Sequence, residues 1–226
     1  MTSAIIVAAG KGTRMGVNID KLFLNLAGRP VVAHTWQRLN DANCIDEIIL
    51  VIRDGMQDVF MDMAKEFNFT KQFRFALGGN ERQDSVWNGL AQLSPASQIV
   101  AIQDGARPLT SEKVLHETIA AARETGAAVA AQRVTDTIKE SQDGRTVSGH
   151  LQRDRLWAVQ TPQTFRVDVI RRALHAVRDK NLQVTDDTAA CELIGQTVKL
   201  IESTSPNPKI TTPVDLDFAA CLLSAR

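Results

Sequence analysis

The sequence predicts an α/β protein built on a mostly parallel, twisted sheet with helices on both faces and one inserted β-arm. Three observations carry this expectation. Short runs rich in β-branched residues alternate with amphipathic helical patterns along the chain, which is the signature of βαβ winding. The runs are continuously apolar, as strands buried on both faces must be. One late stretch breaks the alternation around an Asp-Gly pair.

Taken in order, residues 4–8, 47–52, 73–76, 98–102, 127–131 and 197–201 read as buried strands. A helix is expected from Ser85 over residues 85–93, after the paired glycines Gly78 and Gly79. Residues 112–123 form an amphipathic helix with Thr110 or Ser111 as N-cap and Gly126 as the stop. Residues 168–178 form another, with Val167, Ile170, Leu174 and Val177 at helical spacing. Arg171, Arg172, His175 and Arg178 lie opposite that apolar stripe and read as solvated surface. The stretch about 135–159, with Gln142-Asp143-Gly144 at its centre, reads as two strands around a turn. Such a hairpin either extends an edge or reaches another subunit. Near the end, Thr212 as N-cap, Pro213 at the first helical position and Asp215 three residues on resemble a capping box. No internal repeat is present, and the 226 residues read as one domain, 1–226, with the arm as its appendage.

Composition excludes several functions. Twenty-six Lys and Arg balance twenty-six Asp and Glu. The chain therefore offers no long-range attraction to nucleic acid or to an anionic membrane. The opening apolar run, residues 4–9, is far short of the ~20 residues of a span. No secretory signal precedes it, so a cytoplasmic protein is expected. Cys44, Cys191 and Cys221 are odd in number and have no CxxC spacing, so they are read as packing residues in a reducing compartment. The four histidines form no HxxxH pair, and no GxSxG elbow exists.

In a parallel sheet, ligands sit outside the carboxyl ends of the strands, which directs attention to the loops there. The first strand ends in Ala8-Ala9-Gly10-Lys11-Gly12-Thr13-Arg14-Met15-Gly16. Glycines after a strand let backbone N–H groups approach phosphate oxygens. Met15 stands where a dinucleotide fingerprint needs its third glycine, and no Gly-Lys-Ser/Thr follows. What distinguishes the loop is its cations, Lys11, Arg14 and, shortly after, Lys21, a set that suits a triphosphate. A tight strand-to-helix turn with solvated cations is the plainer alternative. Asp104 and Arg107, in Ile102-Gln103-Asp104-Gly105-Ala106-Arg107-Pro108, stand at another strand's carboxyl end, from which a carboxylate can hold Mg²⁺ against phosphate. Here the alternative is an Asp-Gly turn. Lys209, in Asn207-Pro208-Lys209, is a cation that the helix start following it does not need.

Taken together, AAGKGTRMG, Lys21, GGNERQDSVWNGL, DGARPL, TDTIK, LWAVQTPQTF, TDDTAACE and NPKITTPVDL closely resemble the methylerythritol-phosphate cytidylyltransferases of the non-mevalonate isoprenoid pathway. The likeness runs in order over nearly the whole chain. Three positions depart from the family pattern: Val7 for a frequent proline, Asn80 for a common acidic residue, and Pro208 for the usual isoleucine. The resemblance implies a Rossmann-like domain whose β-arm clasps a homodimer, and transfer of CMP from CTP to a polyol phosphate with Mg²⁺. It also implies roles for residues. Arg14, Lys21 and Lys209 would be catalytic, while Ala8, Ala9, Gly10, Gly12, Gly79 and Ser85 would hold the nucleotide. Arg107, Thr137, Arg153 and Thr185 would surround the acceptor, with Thr137 lent across the dimer, and Asp104 would take the metal. A relative using ribitol phosphate, or one that binds nucleotide without turnover, are the alternatives. The second of these would be expected to have lost Lys21, Asp104 or Lys209, all of which are present.

Overall fold

The fold was read from a computed structural model, which describes residues 1–10 and 20–224. The elements run as β1 (Thr2–Val7), the two-residue strands β2 (Asn25–Leu26) and β3 (Arg29–Pro30), α1 (Val31–Asp41), β4 (Glu47–Ile52), α2 (Gln57–Glu66) and β5 (Phe73–Leu77). There follow α3 (Arg82–Ala91), β6 (Ile99–Asp104), α4 (Glu112–Thr125), β7 (Ala127–Arg133), β8 (Lys139–Glu140) and β9 (Gly149–His150). The chain ends with β10 (Trp157–Arg166), α5 (Val167–Asp179), α6 (Asp187–Glu192), β11 (Lys199–Glu202) and α7 (Pro213–Ser224).

Seven strands form one sheet in the order β11-β7-β10-β6-β1-β4-β5. All neighbours are parallel except β10, which runs antiparallel to both β6 and β7. Alternate side chains of each strand feed two apolar layers. Ala4, Ile6, Ile48, Leu50 and Ile52 pack under α1, α2, α4 and α7, whereas Ile5, Ile49, Val51 and Ile102 pack under α3, α5 and α6. Each fully buried Ile or Leu stabilises the fold by roughly 1.5–3 kcal/mol, so this double-sided burial anchors the strands whose ends build the site.

The helix punctuation follows the residue types. Ser111 Oγ accepts from the Val114 N–H at the start of α4, and Gly126, at φ +94°, closes it in the left-handed conformation that glycine adopts without strain. Asp215 accepts from the backbone N–H of Thr212 at 2.8 Å and of Thr211 at 2.8 Å, which ties down the entry to α7. Among the described residues, no helix is long and apolar enough to cross a membrane.

Some expectations need correction. The helix read as 85–93 begins earlier, at Arg82, because Glu81 and Asp84 form a reciprocal capping box that starts it there. The stretch 157–159 belongs to β10 rather than to the arm. The arm is the connection between the antiparallel neighbours β7 and β10, closed at its base by the Trp157–Arg133 pair and carrying the β8–β9 hairpin. Asp143 accepts from the N–H groups of Arg145 and Thr146 at its tip, and Gly144 there has φ +69°. Of the cysteines, Cys191 is buried and Cys44 half-buried, but Cys221 is exposed on α7, where it serves no packing role.

Candidate active site

β1 and β6 lie side by side with Val7 paired to Asp104, so both strands end at the same level. The chain leaves β1 through Ala8, whose N–H donates to Val51 O at 2.8 Å. It leaves β6 through Gly105, whose N–H donates to Val7 O at 3.0 Å. The loop after β5 comes close to this point. A Cβ on Gly78 would stand 2.3 Å from the Ala9 Cβ, so only glycine permits the approach. Gly79 N–H then donates to Ser85 Oγ at 3.0 Å, drawing the first turn of α3 onto the same rim.

Two cavities meet there. The larger, about 480 Å³, is lined by Ala9, Gly10, Lys21, Gly79, Ser85 and Asp104, together with Arg82 and Lys209. The smaller, about 260 Å³, is lined by Arg107, Gln160, Thr161, Thr185 and Asp186, again with Arg82, Asp104 and Lys209. The last three side chains form the seam between the cavities.

Asp104 is the centre of the seam. Lys209 Nζ stands 2.7 Å from its Oδ2, Arg107 Nε 3.7 Å from the same oxygen, and Arg82 Nε 3.5 Å from Oδ1. Burial works to raise the carboxyl pKa, but Lys209, Arg82 and Arg107 outweigh it and hold it at about 2. The group is therefore a fixed anion at any physiological pH. Burial acts alike on Arg107, lowering its pKa, with Asp104 opposing.

A buried asparagine holds the cations in place. Asn207 accepts from Arg107 Nη1 through its carbonyl at 2.6 Å, while its side chain donates to Thr161 O at 2.9 Å and accepts from Thr110 Oγ1 at 3.1 Å. Ile210 N–H donates to Ala106 O at 2.8 Å, and Lys21 Nζ donates to Ile210 O at 2.9 Å. Lys21, in the short turn Lys21–Phe23, is thus tied to the residue next to Lys209. The ladder between β7 and β10 shifts register between Val159 and Gln163, and there Thr161 Oγ1 accepts from the Asp104 N–H at 3.1 Å.

Of the residues singled out in the sequence, Ala8, Ala9, Gly10, Lys21, Gly79, Ser85, Asp104, Arg107, Thr185 and Lys209 are brought to this region. Gly12 and Arg14 lie outside the described residues. Thr137 and Arg153 line neither cavity: Thr137 is exposed on the arm, and Arg153 Nη1 donates to Thr135 O at 2.6 Å. Arg82, Thr161, Gln163, Asp187 and Asn207 also stand at this region without having been singled out in the sequence. Arg82 and Asp187 had a signal in the quoted motifs, GGNERQDS and TDDTAACE, but nothing in the sequence joins the two.

As to metal, Asp104 is a buried, ionised oxygen donor open to both cavities, of the kind a hard divalent cation takes. Among the described residues, no group of three or more His, Cys, Asp or Glu side chains is arranged to hold one. The donor set therefore fits Mg²⁺ only when phosphate oxygens complete its coordination, which is how this ion is commonly bound.

The chain matches, over residues 2–225, the family described as "IspD: 2-C-methyl-D-erythritol 4-phosphate cytidylyltransferase". It is similar to proteins called 2-C-methyl-D-erythritol 4-phosphate cytidylyltransferase from Alkaliphilus oremlandii, 45% identical with 100% of this chain and 96% of the relative covered. For the one from Clostridioides difficile the identity is 42%, with 99% and 94% covered. Among solved structures it is similar to 4-diphosphocytidyl-2C-methyl-D-erythritol synthase from Anaerococcus prevotii, with a TM-score of 0.86, 33% identity and 99% and 98% of the two chains covered. The corresponding Thermus thermophilus cytidylyltransferase gives a TM-score of 0.81 at 28% identity, with 99% and 100% covered. The chain belongs to the 2-C-methyl-D-erythritol 4-phosphate cytidylyltransferase family.

Proposed function

We propose that this chain, as a single nucleotidyltransferase domain, moves CMP from CTP to 2-C-methyl-D-erythritol 4-phosphate and releases pyrophosphate. One observation carries the reading: two cavities, one rimmed by a glycine loop and the other by Arg107 and Thr185, share Lys209, Asp104 and Arg82. A transfer between two bound phosphates needs such a shared wall.

In this reading the larger cavity takes CTP. Backbone from Ala8 to Gly10, continuing to Gly12, faces the triphosphate with Arg14 and Lys21, while Gly79 and Ser85 face cytosine and ribose. The smaller cavity takes the acceptor, held by Arg107 and Thr185. Thr137 and Arg153 complete it, and because the arm holds them away from the chain's own cavities, the arm of a second copy supplies Thr137 in a homodimer. Asp104 would hold Mg²⁺ with the phosphates, and the ion supplies charge neutralisation for the triphosphate.

The acceptor's phosphate oxygen forms a bond to the α-phosphorus as the bond from that phosphorus to the bridging oxygen of pyrophosphate breaks. The acceptor is ionised at neutral pH, so no side chain has to remove a proton. The protein's work is to overcome repulsion between anions and to align them. Lys209, at the seam, meets the charge shared by attacking and transferring phosphates, and Lys21 meets charge that grows on the leaving pyrophosphate.

The test is a panel of CTP, UTP, ATP and GTP against 2-C-methyl-D-erythritol 4-phosphate, erythritol 4-phosphate and ribitol 5-phosphate, read by pyrophosphate release. Turnover is expected for CTP with the methylerythritol phosphate above all other pairs. A preference for ribitol 5-phosphate, or pyrophosphate release with no acceptor pair, would overturn the assignment.

A further inference from the structure

Behind the seam lies an ion pair that the proposed reaction does not use. Arg82, in the first turn of α3, points its Nη1 at Asp187 Oδ2, 2.7 Å away, while its Nε faces Asp104 Oδ1. Asp187 opens α6 and is 0% exposed. It lines neither cavity, so it reaches a substrate only through Arg82, which lines both. The backbone of Asp187 is itself pinned, its N–H donating to Gln163 Oε1 at 2.9 Å, and Gln163 Nε2 donates to the neighbouring Asp186 at 2.9 Å. β10, which carries Gln163, pairs with β6 at Ile102, two residues before Asp104.

The arrangement is poorly suited to stability alone. Asp187 Oδ1 is buried with no hydrogen-bond partner, and burial pushes its carboxyl above the ordinary range against the pull of Arg82. A buried ion pair with an unsatisfied oxygen is no better for the fold than a neutral pair of the same shape. Its geometry does serve Asp104. Lys209 and Arg107 both approach Oδ2, and among the described ion pairs of Asp104 only Arg82 approaches Oδ1. With Arg82 in place both oxygens are engaged; without it the carboxylate is held from one side and is free to turn about its Cβ–Cγ bond.

We infer that Arg82, braced by Asp187, is a positioning residue that fixes the orientation of the Asp104 carboxylate at the seam of the two cavities. The inference rests on the function proposed above and assigns to that site a brace built from α3 and α6. Asp187 acts only through Arg82. The brace also links the segment carrying Thr185 to the helix that carries Ser85, so acceptor wall and nucleotide wall share one rigid connection.

Removing one partner leaves a buried charge uncompensated and threatens folding, so the decisive protein is the double variant Arg82→Gln/Asp187→Asn, which loses both charges at nearly constant shape. It is expected to melt close to wild type while the Asp187→Asn single variant melts lower. Its kcat is expected to fall about ten- to a hundredfold, as when the outer partners of a catalytic ligand are removed, with the KM for CTP kept within about threefold. Arg82→Lys, which keeps the charge but lacks the fork, is expected to show the same kcat loss. A crystal structure of the double variant is expected to show the Asp104 carboxylate rotated from its present orientation. Wild-type kcat in the double variant overturns the inference, and so does an unmoved Asp104 whatever the turnover. A wild-type protein without turnover would instead overturn the proposed function, and the orientation of Asp104 would still decide the brace.

Discussion

The seam and the arm are built on opposite terms. At the seam, Asp104 and Arg107 are each 8% exposed, and every charged group there is met by another from the same chain. The arm meets nothing of the kind. Its paired strands are two residues each, Lys139, Glu140 and His150 are exposed, and its contacts are internal, such as Lys139 Nζ to His150 Nδ1 at 3.0 Å. Thr137 and Arg153 ride on it, away from both cavities. The difference shows what a single chain supplies: Lys21, Gly79, Ser85, Asp104 and Lys209 come together around one cavity, whereas half of the proposed acceptor set is held out in solvent. An exposed hairpin that does not feed the core is the shape of a segment made for another surface.

The largest expected effect comes from cutting the arm away. Because Trp157 and Arg133 already face one another at its base, residues 139–150 can be deleted without touching a strand of the main sheet. Loss of the dimer and of nearly all activity together is expected, read by sedimentation and pyrophosphate release. A monomeric, active deletion would show that the single chain's cavities suffice. Next come the two lysines, one at the seam and one in the larger cavity. Lys209→Ala and Lys21→Ala are each expected to cost about a hundredfold or more in kcat at saturating CTP, the scale of removing one preorganised donor. If only the KM for CTP rose, these lysines would be binding residues and the seam would lose its claim to the chemistry. The smallest effect is on stability in acid. Asp104 titrates at about 2 in the fold against an ordinary 3.8. A lowered carboxyl pKa adds stability that is complete above the unfolded value and disappears as pH falls through the folded one. The gap is worth roughly 2 kcal/mol. Denaturant titrations of Asp104→Asn should therefore show a shallower loss between pH 4 and 2 than wild type. An identical slope in wild type and Asp104→Asn would remove the seam's distinction.

Strands were legible where burial on both faces leaves continuous apolar runs, as in Glu47–Ile52, and helices where caps were explicit, as at Ser111 and Gly126. β10 was not, because Trp157–Arg166 mixes Gln, Thr and Pro, and proline argues against a central strand. It is tolerated there because the ladder with β7 breaks between Val159 and Gln163, around Pro162. In the site, Arg107 and Lys209 could be found because each is a charge in a loop that turn formation does not require, and Asp104 because it is a carboxylate at the end of a buried apolar strand. Asn207 and Asp187 could not. Their roles depend on contacts with residues 97 positions away, at Thr110, and 105 away, at Arg82, and no local pattern encodes such partners.

The place of β10 between β6 and β7 has a consequence for how the chain is made. β7 has no neighbour in the sheet except β10 and β11, and β6 has one edge that only β10 covers. During synthesis the half-sheet of β5, β4, β1 and β6 can form as soon as residue 104 has emerged, leaving one edge open. The remaining half must wait for residues 157–166, after the whole arm has been translated. A ribosome-bound chain stalled before that point would carry an unpaired β6 edge, the kind of surface that recruits other strands. The strand that joins the two halves of the sheet is thus also the protection of the first half against aggregation.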